Sequence, residues 1–392
     1  MTKLGRFMIG TSSHVSGLCH SIVRGEVFTT CSLGCTYCYA RWYRGPHGKP
    51  KPIFDVLRLV KSFGRLVESG ISVTPIRFST LSEPFQPPAK ITLRALKLAY
   101  KLNVPVIVNT KLHPSEKHFK VLEDLASRGL LVLQVSILAK KDYPEVKILE
   151  PFASPIEDRL KFVEKASEAG IPVVVRIQPL VPGLSDRNVE GFLDEISSAG
   201  AKMVIIEFLR IEREAFGLYK RLFSEFTDVY DEEWESYLPR TANEEAPLIQ
   251  VSLRYKLEKA EIFAKEARKR KLTFATCKEG LFHLHEPKII DCCGMGFLGV
   301  EWTRRPTLWD LYLEAHERGK ARAEDLWVRC EEKGLLCGER LKVYPSWLSR
   351  GFKAHEKRLK SILKKPELVE KLVPVLKYRD GYYVVNEPED NK

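Results

Sequence analysis

Between about Ile22 and Phe208 the chain alternates short apolar runs with longer amphipathic stretches. The runs Glu26–Thr30, Pro75–Ser79, Pro105–Asn109, Leu131–Ile137, Pro172–Ile177 and Lys202–Glu207 are rich in Val and Ile and poor in polar residues. That is the pattern of strands buried on both faces. Phe54–Glu68, Ile91–Leu102, Ser115–Ser127, Ile156–Ala169 and Arg187–Ser198 predict helices, and Gly129, Gly170 and Gly200 follow the last three as C-terminal caps. Six strands with helices between them predict a parallel sheet with right-handed crossovers. Its simplest closed or nearly closed form is a TIM-type barrel. The expected fold class is α/β: a partial (β/α)6 barrel over residues 1–240, a Cys-rich C-terminal domain over 248–345, and a basic helical tail over 346–392.

After Phe208 the periodicity breaks. Ile211–Tyr237 is charged and aromatic and reads as helical, Thr241–Pro247 as a linker, and Val251–Arg270 as a basic amphipathic helix. Leu272–Thr276 resembles a further strand, followed by Cys277, and the tail clusters Lys353, Lys357, Arg358, Lys360, Lys364 and Lys365. With 44% hydrophobic and 29% charged residues, the 392-residue chain should be globular and soluble. No apolar run could span a membrane, and Met1–Gly10 carries Lys3 and Arg6 with no signal-peptide core after them. The expected compartment is cytoplasmic, where thiols stay reduced and nine cysteines favour metal or cluster use. A net charge of +12 points to an anionic partner, against the plainer reading of a Lys-rich soluble surface. Scarce Asn, Gln and Met beside abundant Lys and Glu match thermophile composition. Some hyperthermophiles make intracellular disulfides, which widens the readings of the extra cysteines.

The densest chemistry is Cys31-Ser-Leu-Gly-Cys35-Thr-Tyr-Cys38. A triplet this tight forms no sensible set of disulfides. It can hold three irons of a four-iron cluster and leave the fourth open. Zinc on Cys35 and Cys38 with a second pair elsewhere, or three core cysteines, are the alternatives. With Tyr37 and the following Tyr39-Ala40-Arg41, the run resembles the signature of radical S-adenosylmethionine (SAM) enzymes. More narrowly, it resembles the branch related to spore photoproduct lyase. Ser82-Glu83 after the second strand is similar to that branch's motif for the SAM amino group. Lys111, Ser136, and Arg176 with Gln178 stand at the next strand ends, where the family places SAM contacts. Leu149–Leu160 and Gly170–Asp186 carry further stretches similar to that branch.

The resemblance implies a [4Fe-4S] cluster on Cys31, Cys35 and Cys38, and SAM held by Ser82, Glu83, Lys111, Ser136 and Arg176. It implies a 5′-deoxyadenosyl radical that abstracts hydrogen from substrate, and a one-electron donor such as ferredoxin or flavodoxin. The plainer readings are a turn residue for Glu83, a solvated Lys111, a small lining Ser136 and, for Arg159, a helix-surface charge, which is the favoured reading there.

Two departures limit the likeness. Thr80 stands where the lyase has its hydrogen-donor cysteine, and Cys19 is the other cysteine of the barrel half. Downstream, Cys277, Cys292, Cys293, Cys330 and Cys337 form a candidate auxiliary site for a second iron–sulfur cluster or zinc, with His283 and His285 as substitute ligands. Disulfides or core cysteines are the alternatives. On an extended backbone Cys292 and Cys293 point apart, so one of them is expected to ligate. The leading expectation is a radical SAM enzyme acting on RNA or DNA, by modification or repair. A peptide or small-molecule substrate is the second reading, and a non-catalytic metal- or RNA-binding protein the third.

Overall fold

A computed structural model describes residues 8–12, 17–78, 80–223, 234–236, 248–286 and 291–386. The central sheet runs in chain order: β1 (Ile9–Thr11), β2 (Val23–Gly25), β3 (Ile76–Phe78), β4 (Val106–Thr110), β5 (Leu131–Ser136), β6 (Val173–Leu180), β7 (Met203–Phe208) and β8 (Thr273–Thr276). Every neighbouring pair from β2 to β8 is parallel, while β1 lies antiparallel on the β2 edge. The result is a partial TIM-type barrel. β8 comes from the Cys-rich region, and Thr273–Thr276 aligns with Met203–Ile206 of β7.

The five helices expected between strands form at Asp55–Glu68, Lys90–Lys101, Glu116–Ser127, Ile156–Glu168 and Val189–Ser198. Gly129, Gly170 and Gly200 take left-handed φ values of 66°, 74° and 83° after them. The first strand is a correction: it spans Val23–Gly25, not Glu26–Thr30. Val27 and Phe28 are apolar and fully buried, which imitates a strand. The backbone there has already left the sheet, and only Phe28 makes an isolated bridge, to Pro52.

Alternation along the strands separates two cores. Val106, Val108, Leu133, Val135, Val175, Val204 and Ile206 face the helices. Ile107, Val132, Val174, Met203, Ile205 and Ala275 face inward and pack against Cys277, Cys292, Cys293, Met295 and Leu298. Residues 291–303 therefore plug the lumen from the N-terminal end of the strands. There Gly299 donates its N–H to the Gly129 carbonyl at 3.0 Å and Thr303 donates to that of Val73 at 3.1 Å. The C-terminal strand ends stay at the other, open face.

The segment expected to be helical over Ile211–Tyr237 instead begins with a strand at Arg210–Glu212, continues as a helix at Phe216–Phe223 and has a strand at Trp234–Ser236. The linker Thr241–Pro247 lies outside the described residues, as does part of that segment. The tail contains helices Ser346–Leu363 and Pro366–Leu372 but ends in a hairpin, Leu376–Arg379 with Tyr382–Val385. Helix Ser346–Leu363 packs tightly over the β1 edge: a Cβ on Gly351 would lie 1.7 Å from Thr11 Oγ1. Covering an edge strand removes a site for unwanted pairing. Among the described residues no helix is long and apolar enough to cross a membrane.

Candidate active site at the open end of the barrel

β2 feeds directly into the loop that carries the three thiols. Cys31 and Cys35 are buried, Cys38 is half-buried, and none of them is in a disulfide. Gln86 pins the loop. Its Oε1 accepts from the Ser32 N–H at 2.8 Å and from the Ser32 hydroxyl at 3.0 Å, and its Nε2 donates to the Thr30 carbonyl at 2.8 Å. The His47 ring nitrogens lie 3.2 Å from the Cys31 and Cys35 carbonyl oxygens. Arg44 donates to the Leu81 carbonyl at 2.6 Å and places Nη2 3.5 Å from Cys38 Sγ.

Burial raises the Cys38 thiol, but His47 and the Arg44 charge outweigh it and bring its pKa below the usual value. Hydrogen bonding to Cys31 and Cys38 raises His47 to about 10. Burial pushes Cys35 up, with Glu150 adding to it. Among the described residues no three His, Cys, Asp or Glu side chains converge as a single ion would need. Three loop thiols, one of them biased toward thiolate by a cation, fit a polynuclear iron–sulfur cluster better than a lone zinc.

Buried carboxylates organise the rim beside this loop. Glu26, missed at the sequence level, accepts from the Thr80 N–H (2.7 Å), the Thr80 hydroxyl (2.5 Å), the Leu81 N–H (2.8 Å) and the Ser82 hydroxyl (2.7 Å). Glu83 accepts from the Thr110 hydroxyl at 2.7 Å, the Lys111 N–H at 2.9 Å and the Phe85 N–H at 3.1 Å. Burial raises Glu83 from 4.5 to about 7 despite those donors. Glu150 joins the cluster loop to the rim. It accepts a hydrogen bond from the Tyr37 hydroxyl, binds Lys111 Nζ at 2.8 Å and pairs with Arg159. Burial alone would raise Glu150, yet Arg159 and Lys111 hold it at about 2.

Arg159 is thus a correction. It is 1% exposed and also donates to the Ser136 and Ser154 carbonyls at 2.9 and 2.7 Å. The one available signal was Glu150, in the same Leu149–Leu160 stretch.

The five expected SAM contacts stand on this rim, with their side chains engaged by protein. Ser82 donates to Glu26, Glu83 clamps β4, Lys111 reaches Glu150, and Ser136 donates to Asn109 at 3.1 Å. Arg176 donates to Gln178 at 2.8 Å and sits 3.6 Å from Cys277 Sγ. Glu207, also missed at the sequence level, gathers Gln178, Arg210, Lys278 and Arg176. Tyr39 donates to the Thr80 carbonyl at 3.0 Å and lies under the Lys278 ammonium.

The downstream cysteines divide into two groups, which corrects their reading as one site. Cys330 and Cys337 form a disulfide inside their own small cluster with Leu335 and Trp327. Cys277, Cys292 and Cys293 meet in the lumen, where the Cys292 thiol hydrogen-bonds both others. Cys292 and Cys293 fall on one side because the chain turns there: Asp291 accepts from the Cys293 N–H and Gly294 has φ 79°. Bonding from Cys292 lowers Cys277 to about 6, with Arg176 assisting. His285 is occupied elsewhere, with Nε2 accepting from the Thr276 N–H at 2.9 Å.

Residues 26–196 match the radical SAM superfamily. A radical SAM Nalpha-GlyT isomerase of Pseudomonas phage M6 is 24% identical over 273 residues, 64% of this chain. The matched region is 52% of that protein, so the chain spans about half the length of this curated relative. Two solved variants of spore photoproduct lyase share the fold, each at 13% identity and 70% of this chain. A cysteine-to-alanine variant matches over 79% of its length with a TM-score of 0.52, and a tyrosine-to-phenylalanine variant over 85% with 0.51. The match begins at the first of the buried rim carboxylates and takes in the thiol loop and four of the strand ends that face it; over residues 26–196 the chain is similar to the radical SAM superfamily.

Proposed function

We propose that this chain is an enzyme that cleaves SAM at a [4Fe-4S] cluster held by Cys31, Cys35 and Cys38, and acts on a nucleic-acid substrate. The observation that carries the reading is the three-thiol loop at the open end of the parallel barrel, tied through Tyr37 to Glu150 and Lys111. When bound, cluster and cofactor would supply one electron to the sulfonium and release a 5′-deoxyadenosyl radical for hydrogen abstraction. An external one-electron donor such as ferredoxin or flavodoxin completes the electron supply. Ser82, Glu83, Lys111, Ser136 and Arg176 are the proposed SAM contacts. Lys111 suits a carboxylate, because its ammonium already sits against one in Glu150. The apolar layer of Ile107, Val132, Val174 and Ile205 keeps water from the floor of the lumen. A net charge of +12 supports an anionic substrate. The phage relative carries an isomerase name, which supports a rearrangement rather than a cleavage.

The test is anaerobic reconstitution of the wild type and of a Cys31/Cys35/Cys38→Ala variant, with iron and sulfide counting and a dithionite-driven SAM assay. The wild type should form 5′-deoxyadenosine and the variant none; a wild type that forms none sinks the reading. Iron that persists in the variant would place a second cluster on Cys277, Cys292 and Cys293. No binding of RNA or DNA at moderate salt would remove the nucleic-acid half and leave a peptide or small molecule.

A further inference from the structure

The lysine cluster of the tail, which the candidate active site leaves unused, falls on one stripe of helix Ser346–Leu363. Lys353, Lys357 and Lys360, with Lys364 just past the helix end, recur at intervals of four, three and four residues. That spacing sets them on one face, and all four are exposed. Successive members stand roughly one turn apart, about 5.4 Å along the axis. Among the described residues Lys360 alone of the four is ion-paired, to Glu356 at 2.6 Å.

The stripe runs into a groove between this helix, helix Asp325–Glu332 and the final hairpin. The groove has a volume of about 380 Å³, and Trp327, Lys360, Leu363, Lys364, Tyr378 and Tyr383 line it. Lys360 Nζ stands 4.7 Å from the centre of the Trp327 ring. Tyr378 is 42% exposed, and its ring packs on that of the buried Tyr383 with centroids 5.0 Å apart. Next to it in the hairpin, the Tyr382 ring carries Lys320 and Arg322 at 4.4 and 4.7 Å from its centre. Rings and cations therefore alternate around the mouth. Among the described residues Glu324 is the one carboxylate that lines the groove.

We propose that this groove and the lysine stripe leading to it bind single-stranded RNA. A half-exposed ring such as Tyr378 offers a stacking face that any base can use, and a row of ammonium groups follows a phosphate backbone. The volume lies in the range of sites that enclose a small molecule, which leaves room for a nucleotide. In a duplex the bases already stack on one another and present no free face to Tyr378. An acidic peptide would satisfy the lysines, but it would be repelled by Glu324 and make no use of the rings. Glu324 suits RNA in particular, because its carboxylate accepts a hydrogen bond from a ribose 2′-hydroxyl, which DNA lacks. The inference rests on the nucleic-acid half of the proposed function and is independent of the radical chemistry.

The experiment is fluorescence anisotropy on the reconstituted full chain. The probes are a labelled single-stranded RNA of about twelve nucleotides, within the usual site size of such grooves, the same sequence as DNA, and the RNA duplex. The single-stranded RNA should bind at least tenfold tighter than the other two. Tyr378→Ala should weaken RNA binding by about tenfold, the loss of one stacked base, and Tyr378→Phe should restore it. Lys364→Gln should lower the slope of log affinity against log salt by about 0.7, the loss of one phosphate contact to a single strand. Lys97→Gln, the same charge change on an exposed position of barrel helix Lys90–Lys101, should leave that slope alone. Glu324→Ala should remove the preference for RNA over DNA. Tyr378, Lys364 and Glu324 are exposed, so their variants should fold. Wild-type affinity in Tyr378→Ala overturns the proposal, as do equal slope changes in Lys364→Gln and Lys97→Gln. Equal binding of RNA and DNA overturns it too, as does displacement of RNA by polyglutamate as readily as by unlabelled RNA. SAM cleavage is assayed in parallel. RNA binding that survives in the groove variants sinks this inference and leaves the nucleic-acid reading standing. RNA binding that those variants lose, in a chain that forms no 5′-deoxyadenosine, supports the groove and sinks the radical reading. A wild type that binds no RNA sinks both the groove and the nucleic-acid half.

Discussion

Replacing Glu150 with Gln tests the link between the thiol loop and the barrel. The carboxylate is 3% exposed and Arg159 1%, so both charges sit outside water. In Glu150→Gln the Arg159 guanidinium keeps two carbonyl bonds but loses its counter-charge. Leaving one buried cation uncompensated costs about 3–5 kcal/mol. The titration behaviour gives a similar size. A carboxyl held at about 2 instead of 4.5 is stabilised by about 3 kcal/mol in its ionised form. Because the folded pKa is depressed, that stability is complete above pH 4.5 and disappears as pH falls toward 2. At pH 7 the variant should therefore melt about 4 °C below wild type, taking the average unfolding entropy per residue over 392 residues. The gap should close as both are acidified below pH 4.5. Tyr37 exchanges a charged acceptor for a weaker neutral one, so reconstituted iron should fall with stability. Anaerobic thermal melts from pH 7 down to 3, with iron counted on each sample, check this. A shift below 1 °C at pH 7, or a gap that widens on acidification, would refute the reasoning.

Two further perturbations probe neighbouring points. Glu83 is raised to about 7 by burial, so its contribution to stability is present below pH 4.5 and is lost as pH rises through 7; relative to Glu83→Gln, wild-type melting should fall by about 3 kcal/mol equivalent across that window, and a relative rise would contradict it. Gly129 holds φ 66° and a Cβ there would sit 2.5 Å from Gly299 Cα, so Gly129→Ala should cost about 1–3 kcal/mol in chemical denaturation by straining the turn and lifting the lumen plug; a change within 0.5 kcal/mol would show that the plug is not anchored there.

What was legible in the sequence follows from how each feature is encoded. The strands from Ile76 to Phe208 were readable because both their faces are buried, which leaves unbroken Val and Ile runs. The first strand was displaced because Val27 and Phe28 are as buried as any strand residue while lying in a loop. The thiol triplet was readable because its ligands are contiguous. Glu26, Glu150 and Glu207 were not, because a buried carboxylate looks like a surface one until its distant partners are known. Arg159 was misread for the same reason. Cys330 and Cys337 were grouped with Cys277 by composition, and only the fold shows that they pair seven residues apart, away from the lumen.

The buried glutamates share one geometry. Glu26 ties β2 to the loop after β3, Glu83 ties that loop to β4, and Glu150 ties β4 to the thiol loop and to helix Ile156–Glu168. Glu207 ties β7 to β6 through Gln178 and to the residues after β8 through Lys278. Much of the open rim is therefore closed by charge-assisted hydrogen bonds, which fix the thiol loop before any cofactor arrives. The side chains resembling SAM contacts are the same ones spent on this stitching, so a motif match cannot separate contact from support. Stability and iron retention can. A supporting residue loses both when altered, as Glu150 should, whereas a pure contact would lose SAM affinity and keep its cluster.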